Sequence, residues 1–228
     1  DIDIATNAKP DEIESLFQKT YPIGKKFGVI LIEENEHHFE IATFRSDSGD
    51  SDGRRPDFVT FSSAKEDALR RDFTINGLFY DPLEDEIYDY VGGQKDLKKK
   101  RLRFIGNPQK RIEEDYLRIL RAVRFKNRFQ LLYGEKTKSA LIQKAHLVSS
   151  VSPERIREEL NKIIVQGNRV MALHDLKSLR ILKVVLPEVA CLEKVPQPED
   201  FHSEGDVLNH TFLVLDQLAE NESVELYW

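Results

Sequence analysis

The chain has 228 residues, 40% of them hydrophobic, and a formal charge of −6, enough apolar material to bury a core in one large or two modest domains. No apolar run approaches the roughly 18 residues of a membrane span, no basic segment leads into a signal-peptide stretch, and the lone thiol, Cys191, excludes a disulfide framework. The mildly acidic total argues against a protein that coats nucleic acid indiscriminately, and a reducing cytoplasm is the expected setting.

In chain order, IDIA reads as a strand and DEIESLFQKT as a helix, followed by FGVILIE and HHFEIATFR as paired strands turning around Glu33 to His37. That is a small sheet with a helix. RSDSGDSDGRRPD, Arg45 to Asp57, is rich in Ser, Asp and Gly without a large apolar residue, and is expected to be a mobile loop. SSAKEDALRRDFTINGLFY reads as helical, and DPLEDEIYDYVGG as a turn, a short strand and a glycine pair, Gly92 and Gly93, able to bend the backbone sharply. Beyond Gly93 the texture is helical: QKRIEEDYLRILRAVRFKNRF, KTKSALIQKAHLV, SPERIREELNKIIVQG, VMALHDLKSLRIL and HTFLVLDQLAE. Ser152 and Pro153 offer a cap and a first-turn proline. Asp1 stands where a strand is already under way, and FLVLDQLAENESVELYW reads as a helix unfinished at Trp228, so a fragment is expected. The expected fold class is α+β, a small mixed β-sheet over 1–93 followed by all-helical parts over 94–165 and 166–228.

In a strand, side chains at i and i+2 leave the same face, so Asp1 and Asp3 project together while Ile2 and Ile4 point to the core. Adjacent carboxylates repel, and a hard oxygen-loving cation such as Mg²⁺, shared with substrate phosphates, relieves the repulsion; two solvated aspartates at an exposed strand end are the plainer reading. Glu40, in the alternating strand FEIATF, offers a third acid on a neighbouring strand, the minimum for metal-assisted phosphoryl or nucleotidyl transfer, or else a rim residue. RRDFTIN, Arg70 to Asn76, sets a guanidinium fork beside short polar groups able to bond a sugar hydroxyl, though a structural ion-pair cluster looks similar.

Around EEDYLRILRAVRF, at roughly 100° per residue, Arg111, Glu114, Arg118, Arg121 and Phe125 fall within an arc of about 80° with Asp115 at its border, while Tyr116, Leu117, Ile119, Leu120 and Val123 fill the other side. One face is core; the other frames carboxylates and guanidiniums, as either a base-reading surface or a solvated face laced with ion pairs. From Lys95 to Arg111 eight basic residues stand against one acid, Asp96, as a solvated face or a strip that meets a polyanion.

Taken in order, DIDIAT, FEIATFR, RRDFTIN, DYVGG, EEDYLRILRAVRF and SPERIREEL resemble the successive motifs of the class II tRNA nucleotidyltransferase and bacterial poly(A) polymerase family, within the DNA polymerase β superfamily. The resemblance spans nearly the whole chain, and it is the RRDFTIN and EDxLRxLRAxRF patterns that are specific, not the DxD pair. It implies a nucleotidyltransferase head, N-terminally incomplete because the family's preceding glycine-rich motif is missing here, then a helical neck and the start of an RNA-binding body. It further implies Asp1 and Asp3 as ligands of catalytic Mg²⁺, with Glu40 as a third acid. Asp72 and Asn76 would meet the ribose and Arg71 the phosphates. Asp115 and Arg118 would pair with the base of CTP or ATP, Glu114 would orient them, and Arg121 and Arg124 would face the triphosphate. Gly92 and Gly93 would form a hinge, Arg45 to Asp57 a loop that helps the pocket switch nucleotide, and Glu154, Arg155 and Arg157 a support for the recognition helix.

The implied reaction is CCA addition to the tRNA 3′ end, with tRNA, ATP and CTP as partners and neither DNA nor membrane expected. Alternatives are an A-adding enzyme, a CC-adding enzyme, a poly(A) polymerase, or a non-catalytic RNA-binding module. The segment FHSEGDVLNHTFLVLDQL resembles the start of an HD-type segment, but without the following HD dipeptide it implies no metal at His202, Asp206 or His210.

Overall fold

The computed structural model describes residues 3–48, 58–198, 205–219 and 222–228. Asp1 therefore lies outside the described residues. The chain divides into two compact units, Asp1–Lys98 with Phe104–Gly106, and Lys99–Arg103 with Asn107–Trp228.

The first unit is built on strands β1 (Asp3–Thr6), β2 (Thr20–Gly24), β3 (Val29–Glu34) and β4 (His37–Thr43), with helix α1 (Pro10–Leu16) between β1 and β2. The sheet order is β1-β4-β3-β2, with β1 parallel to β4 and the other pairs antiparallel. Alternation explains its core: Ile30 and Ile32 of β3, Ile41 of β4 and Ile13 of α1 are buried together, with Ala8, Phe17 and Phe39 against them. Each such burial contributes about 1.5–3 kcal/mol. The β3–β4 connection falls where the sequence placed it, with Asn35 and Glu36 both at positive φ (49° and 64°), the backbone of a tight hairpin turn.

Next come β5 (Arg45–Ser48) and β6 (Phe58–Phe61), an antiparallel pair. The segment expected to be a loop from Arg45 thus begins as a strand, because its backbone finds a partner the composition did not announce; residues 49–57 lie outside the described residues. Helix α2 (Ala64–Arg70) opens with a capping box, Ser63 and Glu66 each bonding the other's backbone N–H. It stops at Arg71, correcting the long helix expected here: a 3₁₀ turn covers Thr74–Asn76, and β7 (Leu78–Asp81) pairs antiparallel with β8 (Glu86–Asp89). The Asp72 carboxylate takes the Phe73 N–H at 2.8 Å, a local bond that competes with helix.

At the end of β8 the Asp89 carboxylate accepts four backbone N–H groups, from Val91, Gly92, Gly93 and Gln94, at 2.7–3.1 Å, which starts α3 (Gly93–Lys98). Gly92 has φ 81°, and a Cβ on Gly93 would lie 2.2 Å from the Thr74 carbonyl oxygen. The glycine pair is thus demanded by close packing as well as by a bend.

The second unit contains β9 (Arg101–Leu102), α4 (Pro108–Glu114), α5 (Arg118–Arg128), β10 (Leu132–Tyr133), α6 (Glu135–Lys144), α7 (Pro153–Val165), α8 (Arg169–Ser178), α9 (Leu182–Val185), α10 (Pro187–Ala190), α11 (Val207–Gln217) and α12 (Val224–Tyr227). The short parallel pair β9–β10 interrupts an otherwise helical unit. Buried Ile119, Leu120, Ala122 and Val123 make the inner face of α5, which packs on α7 and α8. Three expectations are corrected. The helix read through EEDYLRILRAVRF is two helices, broken at Asp115, whose backbone is extended (φ −158°, ψ 108°). Ser152 stands at the cap position of α7, but its hydroxyl bonds no helix N–H. The apolar helix read as unfinished at Trp228 ends at Gln217.

Candidate active site

On the first unit's sheet, Asp3 of β1 and Glu40 of β4 are register partners in a parallel pair. Partners in register leave the same face, so the two carboxylates stand side by side, opposite the face that carries buried Ile41 and Ile30. Both are exposed, and neither has an ion-pair partner among the described residues. An uncompensated carboxylate pair fits a hard divalent cation. Among the described residues no group of three or more His, Cys, Asp or Glu side chains gathers as a metal cluster, and Asp1 lies outside them.

In the same unit, RRDFTIN is organised by a residue that the sequence reading did not single out. Asp67, buried in α2, accepts from Arg70 Nε (2.9 Å) and Nη2 (2.7 Å) on one oxygen and from Arg71 Nε (3.0 Å) on the other. Arg71 also donates Nη1 to the Asn76 carbonyl at 3.0 Å and lies over the Phe79 ring. The guanidinium is therefore held in one orientation by a carboxylate four residues earlier, a spacing that was the available signal. Asp72 is buried, and its Oδ1 accepts the Asn76 side-chain amide at 2.8 Å, so the two residues assigned to one sugar are joined to each other.

In the second unit the break at Asp115 sets the geometry. Glu114, last residue of α4, accepts from Arg111 Nη1 (2.8 Å) and Arg118 Nη1 (2.5 Å), and the same Arg118 nitrogen reaches the Arg111 carbonyl (2.8 Å). Arg118 keeps Nε and Nη2 unpartnered among the described residues. Partial burial pushes the Glu114 carboxyl up, but bonds to Arg118 and Arg111 outweigh it and hold the group below its ordinary value. Asp115 is fixed from elsewhere: Oδ2 takes Arg155 Nη2 of α7 at 2.9 Å and Oδ1 takes the Leu117 N–H at 3.1 Å. Asp115 and Arg118, expected to stand one turn apart on one helix, are instead held on either side of the break by separate partners.

Arg121 is half-buried, its guanidinium 5.3 Å from the Phe125 ring centroid. Arg124 is buried against Glu159 of α7, with Nε and Oε1 2.5 Å apart, although the N–H is not aimed at that oxygen; burial pulls its pKa down against the pull of Glu159.

The family model of the poly A polymerase head domain matches residues 1–103, and that of the probable RNA and SrmB-binding site of polymerase A matches 134–192. The chain is 42% identical over 165 residues to the CCA-adding enzyme of Bacillus pumilus, covering 72% of this chain and 41% of that protein. It is 40% identical over 182 residues to the CCA-adding enzyme of Bacillus subtilis, covering 79% of this chain and 46% of that protein. It thus spans less than half the length of these relatives. Among solved structures, the Bacillus stearothermophilus CCA-adding enzyme in complex with CTP aligns with TM-score 0.72 and 33% identity over 79% of this chain and 44% of that one. Two successive family models and relatives at this identity agree with the motif order: the chain belongs to the tRNA nucleotidyltransferase and poly(A) polymerase family.

Proposed function

We propose that this chain performs template-independent nucleotidyl transfer from CTP and ATP to an RNA 3′ end, completing the CCA terminus of tRNA in the cytoplasm. The observation that carries the reading is the Asp3–Glu40 pair, two exposed acids in register on adjacent parallel strands, neither with an ion-pair partner among the described residues. Asp1, two residues before Asp3, completes the proposed acidic set, and Asp1 and Asp3 are the proposed Mg²⁺ ligands. Bound by these carboxylates, Mg²⁺ would supply positive charge to the attacking and leaving oxygens. The 3′-hydroxyl gives up its proton to water as its oxygen bonds to the α-phosphorus and the bond from that phosphorus to the oxygen bridging the β-phosphate breaks, releasing pyrophosphate.

The protein's own groups would do the rest. Arg71, pinned by Asp67, meets phosphate oxygens, and Asp72 and Asn76 bond the ribose hydroxyls. Arg121, and Arg124 from within the helix packing, add positive charge toward the triphosphate. Cytosine and adenine both place a ring-nitrogen acceptor beside an exocyclic amine, which the spare donors of Arg118 and the carboxylate of Asp115 complement. Glu114 and Arg155 act as positioning residues for these two. A base with the opposite pattern leaves a buried donor or acceptor unpaired, at about 1–3 kcal/mol, which selects a nucleotide without a template strand. In this reading residues 1–93 form the catalytic head, 94–165 the recognition neck and 166–228 the start of an RNA-binding body. No helix among the described residues is long and apolar enough to cross a membrane.

The test is incubation with labelled CTP or ATP and tRNA lacking one, two or three terminal residues. Ordered incorporation of C, C and A is expected. A alone points to an A-adding enzyme, C alone to a CC-adding one, repeated A on any RNA to a poly(A) polymerase, and no incorporation with salt-sensitive tRNA binding to a silent binding module.

A further inference from the structure

In the second unit, the outer side of α5 bears flat groups in close succession. Arg121 lies over Phe125, the Phe125 and Phe129 rings are parallel (interplanar angle 8°, centroids 6.0 Å apart), and the Arg128 guanidinium lies 5.3 Å from the Phe129 centroid. Phe129 caps the C-terminal end of α5 and keeps 46% of its surface exposed, so its ring is accessible. Three residues on, the Leu132 N–H donates to the Lys100 carbonyl, and Leu132 is the register partner of Arg101. Lys99, Lys100 and Arg101 are exposed, and no ion pair engages them among the described residues. Unpaired cations on the strand that pairs with Leu132, and a half-exposed aromatic ring three residues before it, are the two ingredients of single-strand nucleic-acid binding, phosphate neutralisation and base stacking. None of these residues lies in the span matched by the RNA-binding family model, which begins at residue 134.

We propose that the end of α5 and the β9–β10 pair form a site for a single-stranded RNA segment, in which a base continues the stack at Phe129 and Arg128 while Lys100 and Arg101 hold the neighbouring phosphates. The site deepens the reading of RNA as the substrate and rests on it. Its proposed contact residues, Phe129, Arg128, Lys100 and Arg101, are none of those proposed to meet the nucleotide, and it grips RNA without reading sequence, because every base has a face to stack.

The test measures binding of a labelled single-stranded RNA and of tRNA lacking its CCA end to the whole chain, across a salt series, alongside CTP binding. Stacking predicts that Phe129→Ala weakens RNA binding by about 5- to 100-fold, that Phe129→Trp restores it, and that CTP affinity is unchanged in both. Lys100→Ala with Arg101→Ala should reduce the log–log salt slope by about 1.5. The salt slope of the Lys100→Ala, Arg101→Ala variant keeps the result readable if Phe129→Ala misfolds. Wild-type RNA affinity in Phe129→Ala, with a wild-type salt slope in Lys100→Ala with Arg101→Ala, overturns the site alone; wild-type protein that binds no RNA overturns both the site and the proposed function. Equal competition by polyglutamate and by RNA also overturns it, since stacking then contributes nothing.

Discussion

Glu114 ties two arginines from opposite sides of a chain break, so its replacement acts on selection before it acts on folding. Glu114→Gln keeps the shape but removes the charge that anchors Arg118; a solvent-exposed pair of this kind contributes only about 0–1 kcal/mol to stability, so the change is read in nucleotide selection. The expected result is a fall of about tenfold or more in kcat/KM for CTP and ATP, with weaker rejection of UTP and GTP, read from single-nucleotide incorporation. The pH dependence follows from the direction of the shift. Because the folded-state carboxyl titrates below its ordinary value of 4.5, its ionised form stabilises the fold fully above that pH and the contribution disappears as pH falls through the depressed value. The difference in urea midpoint between wild type and Glu114→Gln should be constant from pH 7 to 5 and shrink only below 4.5. The candidate residues could be picked out from the sequence, since acids and arginines at these spacings fit phosphate and base chemistry as well as ion pairing. The resemblance gave Arg155 a supporting role, but nothing local to EEDYLRIL says that the group it holds, forty residues back, is Asp115.

Among the elements, α5 and α7 are joined by Arg124 and Glu159, 8% and 3% exposed. Removing one member of a buried pair strands the other charge, so Glu159→Ala should cost about 3–5 kcal/mol in denaturant unfolding, more than any surface pair. Gly93→Ala should also destabilise, by about 1–3 kcal/mol, because its Cβ meets the fixed Thr74 carbonyl at 2.2 Å rather than a yielding side chain. The β3–β4 hairpin was readable because alternation and a polar tetrad coincide. The break at Asp115 was not, since no glycine or proline marks it and the apolar period runs through; the interruption goes with a local bond from the Leu117 N–H and a tertiary one from Arg155, both on the Asp115 carboxylate. The parallel register that sets Asp3 beside Glu40 was equally invisible, because pairing across thirty-seven residues leaves no local trace.

For the whole molecule, the formal charge of −6 hides a concentration of eight cations between Lys95 and Arg111. A polyanion responds to that local field rather than to the total, so tRNA affinity should fall at least tenfold between 50 and 200 mM salt, a range typical of a few phosphate contacts, by filter binding. Flat salt dependence would contradict an electrostatic grip on RNA.

The central claim is that the acids on the β1–β4 pair drive nucleotide transfer, and the most direct measurement is labelled CMP and AMP incorporation into tRNA lacking its last three residues, wild type against Asp3→Ala. The account predicts ordered addition of three residues by the wild type and a loss of about a hundredfold or more in the variant, with CTP binding to Arg118 and Asp115 largely kept. Undiminished transfer by Asp3→Ala would contradict it.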